Sequence, residues 1–112
     1  MPDASFESFL SELRENAPIL PKPEGEEAWD DHVARVSQEG VIAEIDEEQF
    51  DYWLDVLPPH YQRGYLFAFA EGAEPFRLFW KEKGGRFFAR QLTWDETRKF
   101  CRLSGASVPP RD

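Results

Sequence analysis

Cysteine is nearly missing from this chain: Cys101 stands alone among 112 residues. No internal disulfide can form, and no paired Cys/His spacing exists for a structural metal site. Long apolar runs are missing too. The unbroken ones are only a few residues long, far below the ~20 that a membrane-spanning helix needs. No basic-then-apolar segment at the N-terminus resembles a signal peptide, so the expectation is a soluble protein of the reducing cytoplasm, with no membrane partner. Basic residues are scarce in the first half. Up to Leu57, three of them (Arg14, Lys22, Arg35) stand against sixteen acidic ones, whereas from Pro58 onward ten basic residues face six acidic. The formal total is −9, and a negative field opposes the approach of nucleic-acid phosphates within a Debye length of ~8 Å. Direct nucleic-acid binding therefore starts at a disadvantage. A protein partner with a basic surface is the one this charge suits.

The chain is rich in apolar and ring side chains: 41% hydrophobic, with ten Phe, four Trp and three Tyr. That suffices for one domain over residues 1–112 with a core of its own. Phe6, Phe9, Leu10 and Leu13 follow helical spacing behind Ser5 as a candidate N-cap. Pro18, Pro21 and Pro23 then predict an extended linker. Trp29, His32, Val33 and Val36 give a second helix, with Gly40 placed to end it in a left-handed cap. Val41–Ile45 is β-branched but too short to separate a strand from an extended entry. Asp46 and Gln49 form a capping-box pattern, and Phe50, Trp53, Leu54 and Leu57 continue it as a third helix, stopped by Pro58 and Pro59. Its outward face carries Glu47, Glu48, Asp51 and Asp55.

After this point the period falls to two. Three strands are expected within residues 65–93, joined by turns at 71–75 and 83–86, as an antiparallel meander. A two-residue Gly84-Gly85 loop would pair Lys81 with Phe88 and Trp80 with Ala89. One face would then be core (Phe76, Leu78, Trp80, Phe87, Ala89), and the other would mix Arg77, Phe79, Lys81, Phe88, Arg90 and Leu92. Thr93 and Glu96 form a second capping box, opening a last helix that packs Trp94, Phe100, Cys101 and Leu103 on the sheet before Gly105 ends it. The fold class expected is α+β: N-terminal helices, a three-stranded antiparallel meander and a C-terminal helix on the sheet. Residues 1–40 read as an acidic helical part, 41–105 as the core and 106–112 as a frayed tail.

The stretch LPPHYQRG, Leu57 to Gly64, has the composition of a corner, with prolines to stop a helix and a glycine to permit a turn. His60, Tyr61 and Arg63 are nevertheless polar groups on a connection, where partner contacts are often found. Together with Phe67, Ala68 and Glu71, the pattern of Leu57, Pro58, Pro59, Tyr61, Arg63 and Gly64 resembles a family of uncharacterised small proteins from bacterial plasmids and phages. The resemblance covers roughly the last two-thirds of the chain and leaves out residues 1 to about 40. It implies no activity. It implies a setting on mobile elements, where inhibitors of host defence are common.

Candidate chemistry is sparse. A thiol nucleophile would need Cys101 beside His60 or His32, yet Cys101 falls on the apolar side of its helix. The two histidines are isolated from each other in sequence, so no metal site or cofactor is expected, and the many carboxylates mark no acid/base pair. Gly84-Gly85 leads into a strand, unlike a phosphate-binding loop. The expectation is thus a non-catalytic inhibitor of anti-CRISPR or anti-restriction type, binding a nucleic-acid-binding effector complex through Glu47, Glu48, Asp51, Asp55, His60, Tyr61 and Arg63. One alternative is a single-stranded nucleic-acid module using Arg77, Phe79, Lys81, Phe88 and Arg90 as a stacking platform. Against it stands the covering of that face by an acidic helix of the same chain, with the exposure of Phe79 and Phe88 deciding between the two. The other alternative is a small enzyme using Cys101 or His60. A homodimer through a sheet edge is left open.

Overall fold

In the computed structural model, residues 3–56 and 59–109 are described. Four helices lie where the apolar spacing puts them, with ends moved by local chemistry. Helix α1 (Asp3–Glu15) starts ahead of Ser5, which therefore lies within the helix and does not cap it. Helix α2 (Trp29–Val36) ends at Ser37, whose hydroxyl donates to the Val33 carbonyl. Gly40, at φ +82°, instead turns the chain toward the next strand. Helix α3 (Glu47–Val56) opens on the expected box: the Asp46 N–H donates to Gln49 Oε1 at 3.0 Å, and the Gln49 N–H donates to Asp46 Oδ1 at 2.8 Å. The expected stop at Leu57 and Pro58 lies outside the described residues. Helix α4 (Trp94–Ser104) has both bonds of the Thr93/Glu96 box and a left-handed Gly105 whose N–H donates to the Cys101 carbonyl at 2.8 Å. The start of the expected frayed tail is docked: Ala106 packs on the core beside α4.

The sheet is larger than the meander predicted from periodicity. Strands β1 (Ile19–Leu20), β2 (Ile42–Ile45), β3 (Tyr61–Arg63), β4 (Leu66–Phe69), β5 (Arg77–Glu82) and β6 (Arg86–Gln91) form one mixed sheet in the order β1-β2-β6-β5-β4-β3. The meander β4-β5-β6 is its centre. Strand β2 adds to β6 antiparallel, with Ala43 opposite Ala89, and β1 adds to β2 parallel. Strand β3 folds back on β4, with Tyr61 opposite Ala68. The three extra strands are two to four residues long, too short for alternation to register. β1 lies between Pro18 and Pro21 on an outer edge, where a missing N–H costs no ladder bond.

The β5–β6 hairpin corrects the expected register. Glu82 pairs with Arg86 across a Lys83-Gly84-Gly85 loop, so Lys81 opposes Phe87 and Trp80 opposes Phe88. The Gly85 N–H donates to the Glu82 carbonyl at 3.2 Å. Gly84 at φ +90° supplies the positive angle required at the third position of a type II turn, and Gly85 follows at +81°. A slip of one residue exchanges the faces of β6. Leu78, Trp80, Phe88 and Arg90 therefore share one face, which α1 and α4 cover with Phe6, Phe9, Leu13 and Phe100. Phe79, Phe87 and Ala89 share the other, which α2 and α3 cover with Val36, Phe50 and Trp53. Neither face is mixed and open. The sheet lies between two helical layers, and among the described residues no helix is long and apolar enough to cross a membrane.

Candidate functional site

The two layers treat the candidate residues differently. On the α1/α4 side, the edge of Tyr61 meets Phe100 at 5.2 Å between centroids, and the Arg63 guanidinium stands 5.9 Å from the centre of the Phe6 ring. Tyr61 is half-buried and serves the core. His60 is exposed at the start of β3, its Nδ1 accepting from the Ala70 N–H at 3.3 Å. On the α2/α3 side, Glu47, Glu48, Asp51 and Asp55 are all exposed along α3. The residues expected to form one partner surface are thus divided between the two layers, and only the α3 carboxylates form a continuous exposed group.

The stacking platform is overturned. Phe79 and Phe88 are both 0% exposed and point to opposite faces. Arg77 is buried, with Nε donating to Gln91 Oε1 at 3.1 Å and Nη2 donating to Ser37 Oγ at 2.9 Å. Arg90 is buried between α1 and α4, bonded to Glu96 at 2.8 Å. Only Lys81 of that set is exposed. The thiol–imidazole pair does not assemble with His32 either: Cys101 is buried in the α1/α4 layer, where burial pushes its thiol up, while His32 is buried between α2 and α3.

A cleft of about 610 Å³ opens beside the α3 carboxylates, between the Lys22–Glu27 segment, the start of α2 and the first turns of α3. Its walls carry Trp29, Tyr52, Glu26, Glu27, Asp46 and Glu48. Glu27 holds the cleft together. Its carboxylate takes two bonds from Arg35, at 2.8 and 2.9 Å, and one from Gln49 Nε2 at 3.1 Å, and it lies 3.4 Å from His32 Nδ1. The Arg35 bond is the main reason its pKa falls from 4.5 to about 2, with Gln49 and the nearby positive charge adding to it against the opposing effect of burial. Arg35 also donates to the Glu44 carbonyl, tying α2 to β2.

Behind the cleft, the Trp53 indole N–H donates to His32 Nε2 at 2.8 Å. An indole nitrogen only donates, so Nε2 must be the unprotonated nitrogen, and the proton of the neutral ring sits on Nδ1, facing Glu27. Burial lowers the pKa of His32 and keeps it in this form, although Glu27 pulls the other way. Trp29 rests on this frame, with centroids 5.0 Å from His32 and 5.3 Å from Trp53. Tyr52 meets Trp29 at 4.6 Å and 69°, so the two rings form a corner. Trp29 stays 42% and Tyr52 52% exposed.

Sequence reasoning assigned Trp29 to an apolar stripe and passed over Tyr52. The available signal was an aromatic on the acidic face of α3, beside Asp51 and among carboxylates. No family model, curated protein or solved structure matches the chain.

Proposed function

We propose that the protein acts by binding and without chemistry of its own, docking its α2/α3 face on a basic surface of a protein partner. The observation that supports this reading is the continuous exposure of Glu47, Glu48, Asp51 and Asp55 beside a cleft walled by further carboxylates and two half-exposed aromatics. Carboxylates on a helix face repel nucleic acid and favour approach to a cationic groove. Partly exposed Trp and Tyr next to them offer contact area that charge alone lacks. With the mobile-element setting that the resemblance implies, the partner is a nucleic-acid-binding effector of host defence. The mode is occupation of its guide, target or substrate groove, as an anti-CRISPR or anti-restriction protein would act.

The test uses the protein as bait in a host extract at low and high salt, beside a variant carrying Glu47, Glu48, Asp51 and Asp55 all changed to lysine. Asp51 and Asp55 tolerate the change within about 0.5 kcal/mol each. Glu47 and Glu48 cost somewhat more because they face the positive end of the α3 dipole, and the circular dichroism of the variant should match that of the wild type. The wild type should retain a basic nucleic-acid-binding protein, release it as salt rises, and block its nucleic-acid binding when both are purified. The variant should do none of these. Retention of the same proteins by both baits, independent of salt, overturns the reading.

A further inference from the structure

We infer that the cleft beside α3 receives an arginine side chain of the partner, stacked in the Trp29/Tyr52 corner with its N–H groups on the surrounding carboxylates; this rests on the acidic-face reading above. Three features of the cleft lead there.

The first is charge. Glu26, Glu27, Asp46 and Glu48 line the cleft against the single ammonium of Lys22. Glu27 is already committed to Arg35 and Gln49, and one oxygen of Asp46 is committed to the start of α3. Glu26, Glu48 and the second Asp46 oxygen remain as acceptors at the walls. The positive end of the α3 dipole, roughly half a charge, is outweighed by these groups and by Glu47 in the same turn.

The second is the aromatic corner. This fold places cations over aromatic rings repeatedly: Lys81 lies 4.8 Å from Tyr65, and Arg14 and Arg86 lie 5.2 and 5.0 Å from Phe88. Among the described residues, none of the cations found over rings stands over Trp29 or Tyr52. The corner is also held in place before any partner arrives. Trp29 leans on Trp53, and Trp53 is pinned by its bond to His32 and by the Arg77 guanidinium 5.1 Å from its ring. A wall that does not have to be ordered on binding saves the ligand that entropy.

The third feature selects among cations. Guanidinium is planar and weakly hydrated, so it can stack on a ring while its edge donates to carboxylates. A trimethylammonium would leave those carboxylates without donors, and it prefers a cage closed on several sides to a corner of two rings. A lysine ammonium keeps more of its hydration and has no face to stack. The volume of about 610 Å³ exceeds one side chain and lies within the ~300–1,000 Å³ of ligand sites, leaving room for peptide backbone on either side.

The experiment follows the Trp29 indole N–H by two-dimensional NMR, its signal assigned with Trp29→Phe, during titration with a blocked Gly-Arg-Gly peptide. Matched peptides carry citrulline, lysine or trimethyl-lysine in place of arginine. The arginine peptide should shift the Trp29 and Tyr52 signals saturably. Citrulline, which keeps the shape and loses the charge, should not, and lysine and trimethyl-lysine should bind more weakly than arginine. Tyr52→Ala should weaken the arginine peptide about tenfold while leaving amide signals of the sheet unmoved. Equal binding of citrulline, tighter binding of trimethyl-lysine, or no saturable shift at the solubility limit of the arginine peptide each overturns the arginine pocket. The acidic-face reading fails separately: it is lost if the four-lysine α3 variant keeps the captured partner. If that variant loses the partner while Tyr52→Ala retains it with full affinity, the acidic face stands and the arginine pocket is overturned.

Discussion

Glu27 and His32 show how single titrating groups govern the cleft and, with it, stability against acid. Folding lowers the Glu27 pKa from 4.5 to about 2, chiefly through Arg35. The stabilisation is therefore complete above about 4.5 and is lost as pH falls toward 2. His32 is also depressed from its ordinary 6.5, because its buried ring stays neutral. Unfolded chains bind that proton first, so stability begins to fall as pH drops below about 6.5 and continues to fall until the folded ring itself titrates. Denaturant unfolding measured from pH 8 downward should thus show two losses, an upper one that begins below about 6.5 and a lower one that begins below about 4.5. His32→Asn should remove the upper one and keep the lower. Glu27→Gln should reduce the lower one, to which Glu82 also contributes, and cost about 2–3 kcal/mol at pH 7, where a charged hydrogen-bonding group is lost. Parallel pH curves for wild type and both variants would contradict these assignments.

Among the elements, the β5–β6 hairpin decides which side chains become core. With Glu82 opposite Arg86, Phe79 sits opposite Ala89 beneath α3, stacked on Phe67 at 4.7 Å and against Trp53 at 5.1 Å. Trp80 sits opposite Phe88, half-buried, with its indole N–H on Glu82 at 2.9 Å. Glu82 in turn bonds Arg14 of α1 at 2.6 Å, and that bond is the main cause of its lowered pKa. Phe79→Ala should therefore cost ~3–5 kcal/mol, as for a ring removed from a closed interior. Trp80→Ala should cost only about 1–2 kcal/mol, since part of the ring is already in water. Chemical denaturation of the two variants checks how closed each side of β5 is, and the opposite order of losses would contradict the half-buried placement of Trp80. The outer strands are short, two residues in β1 and three in β3, which limits pairing of a second copy along either edge.

At the scale of the molecule, residues 3–40 are part of the fold and no appendage to it. α1 supplies Phe6, Phe9 and Leu13 to one core, α2 supplies Val36 to the other, and β1 extends the sheet. Ion pairs also join the acidic and basic halves, Arg14 to Glu82 at 2.6 Å and Arg86 to Glu44 at 3.2 Å. A fragment spanning 41–112 would leave Phe76, Leu78 and Phe100 partly uncovered, and it should show no cooperative unfolding and poor dispersion of its amide spectrum. A fragment that folds with native dispersion would mean the N-terminal layer is dispensable. Of the described basic residues after Leu57, Arg77 and Arg90 are buried, Arg86 pairs with Glu44 at the hairpin, and Arg98 and Lys99 stand on α4, with Arg98 bonded to Asp95 and Lys99 over the Phe9 ring.

Local chemistry was sufficient to reveal the four helices, both capping boxes, the three central strands and the acidic face of α3. Each depends on contacts between residues three or four apart, or on alternation within a single strand, and such signals survive without knowledge of the rest of the chain. The hairpin register, the outer strands and the placing of Phe79 and Phe88 on opposite faces were not legible. These depend on a single-residue choice of loop, on partners far away in sequence, and on which helix layer covers which face. The cleft is of the second kind: Glu27, Trp29, Asp46 and Tyr52 come from three separate segments, and the bonds of Glu27 to Arg35 and Gln49 are what bring them to one place.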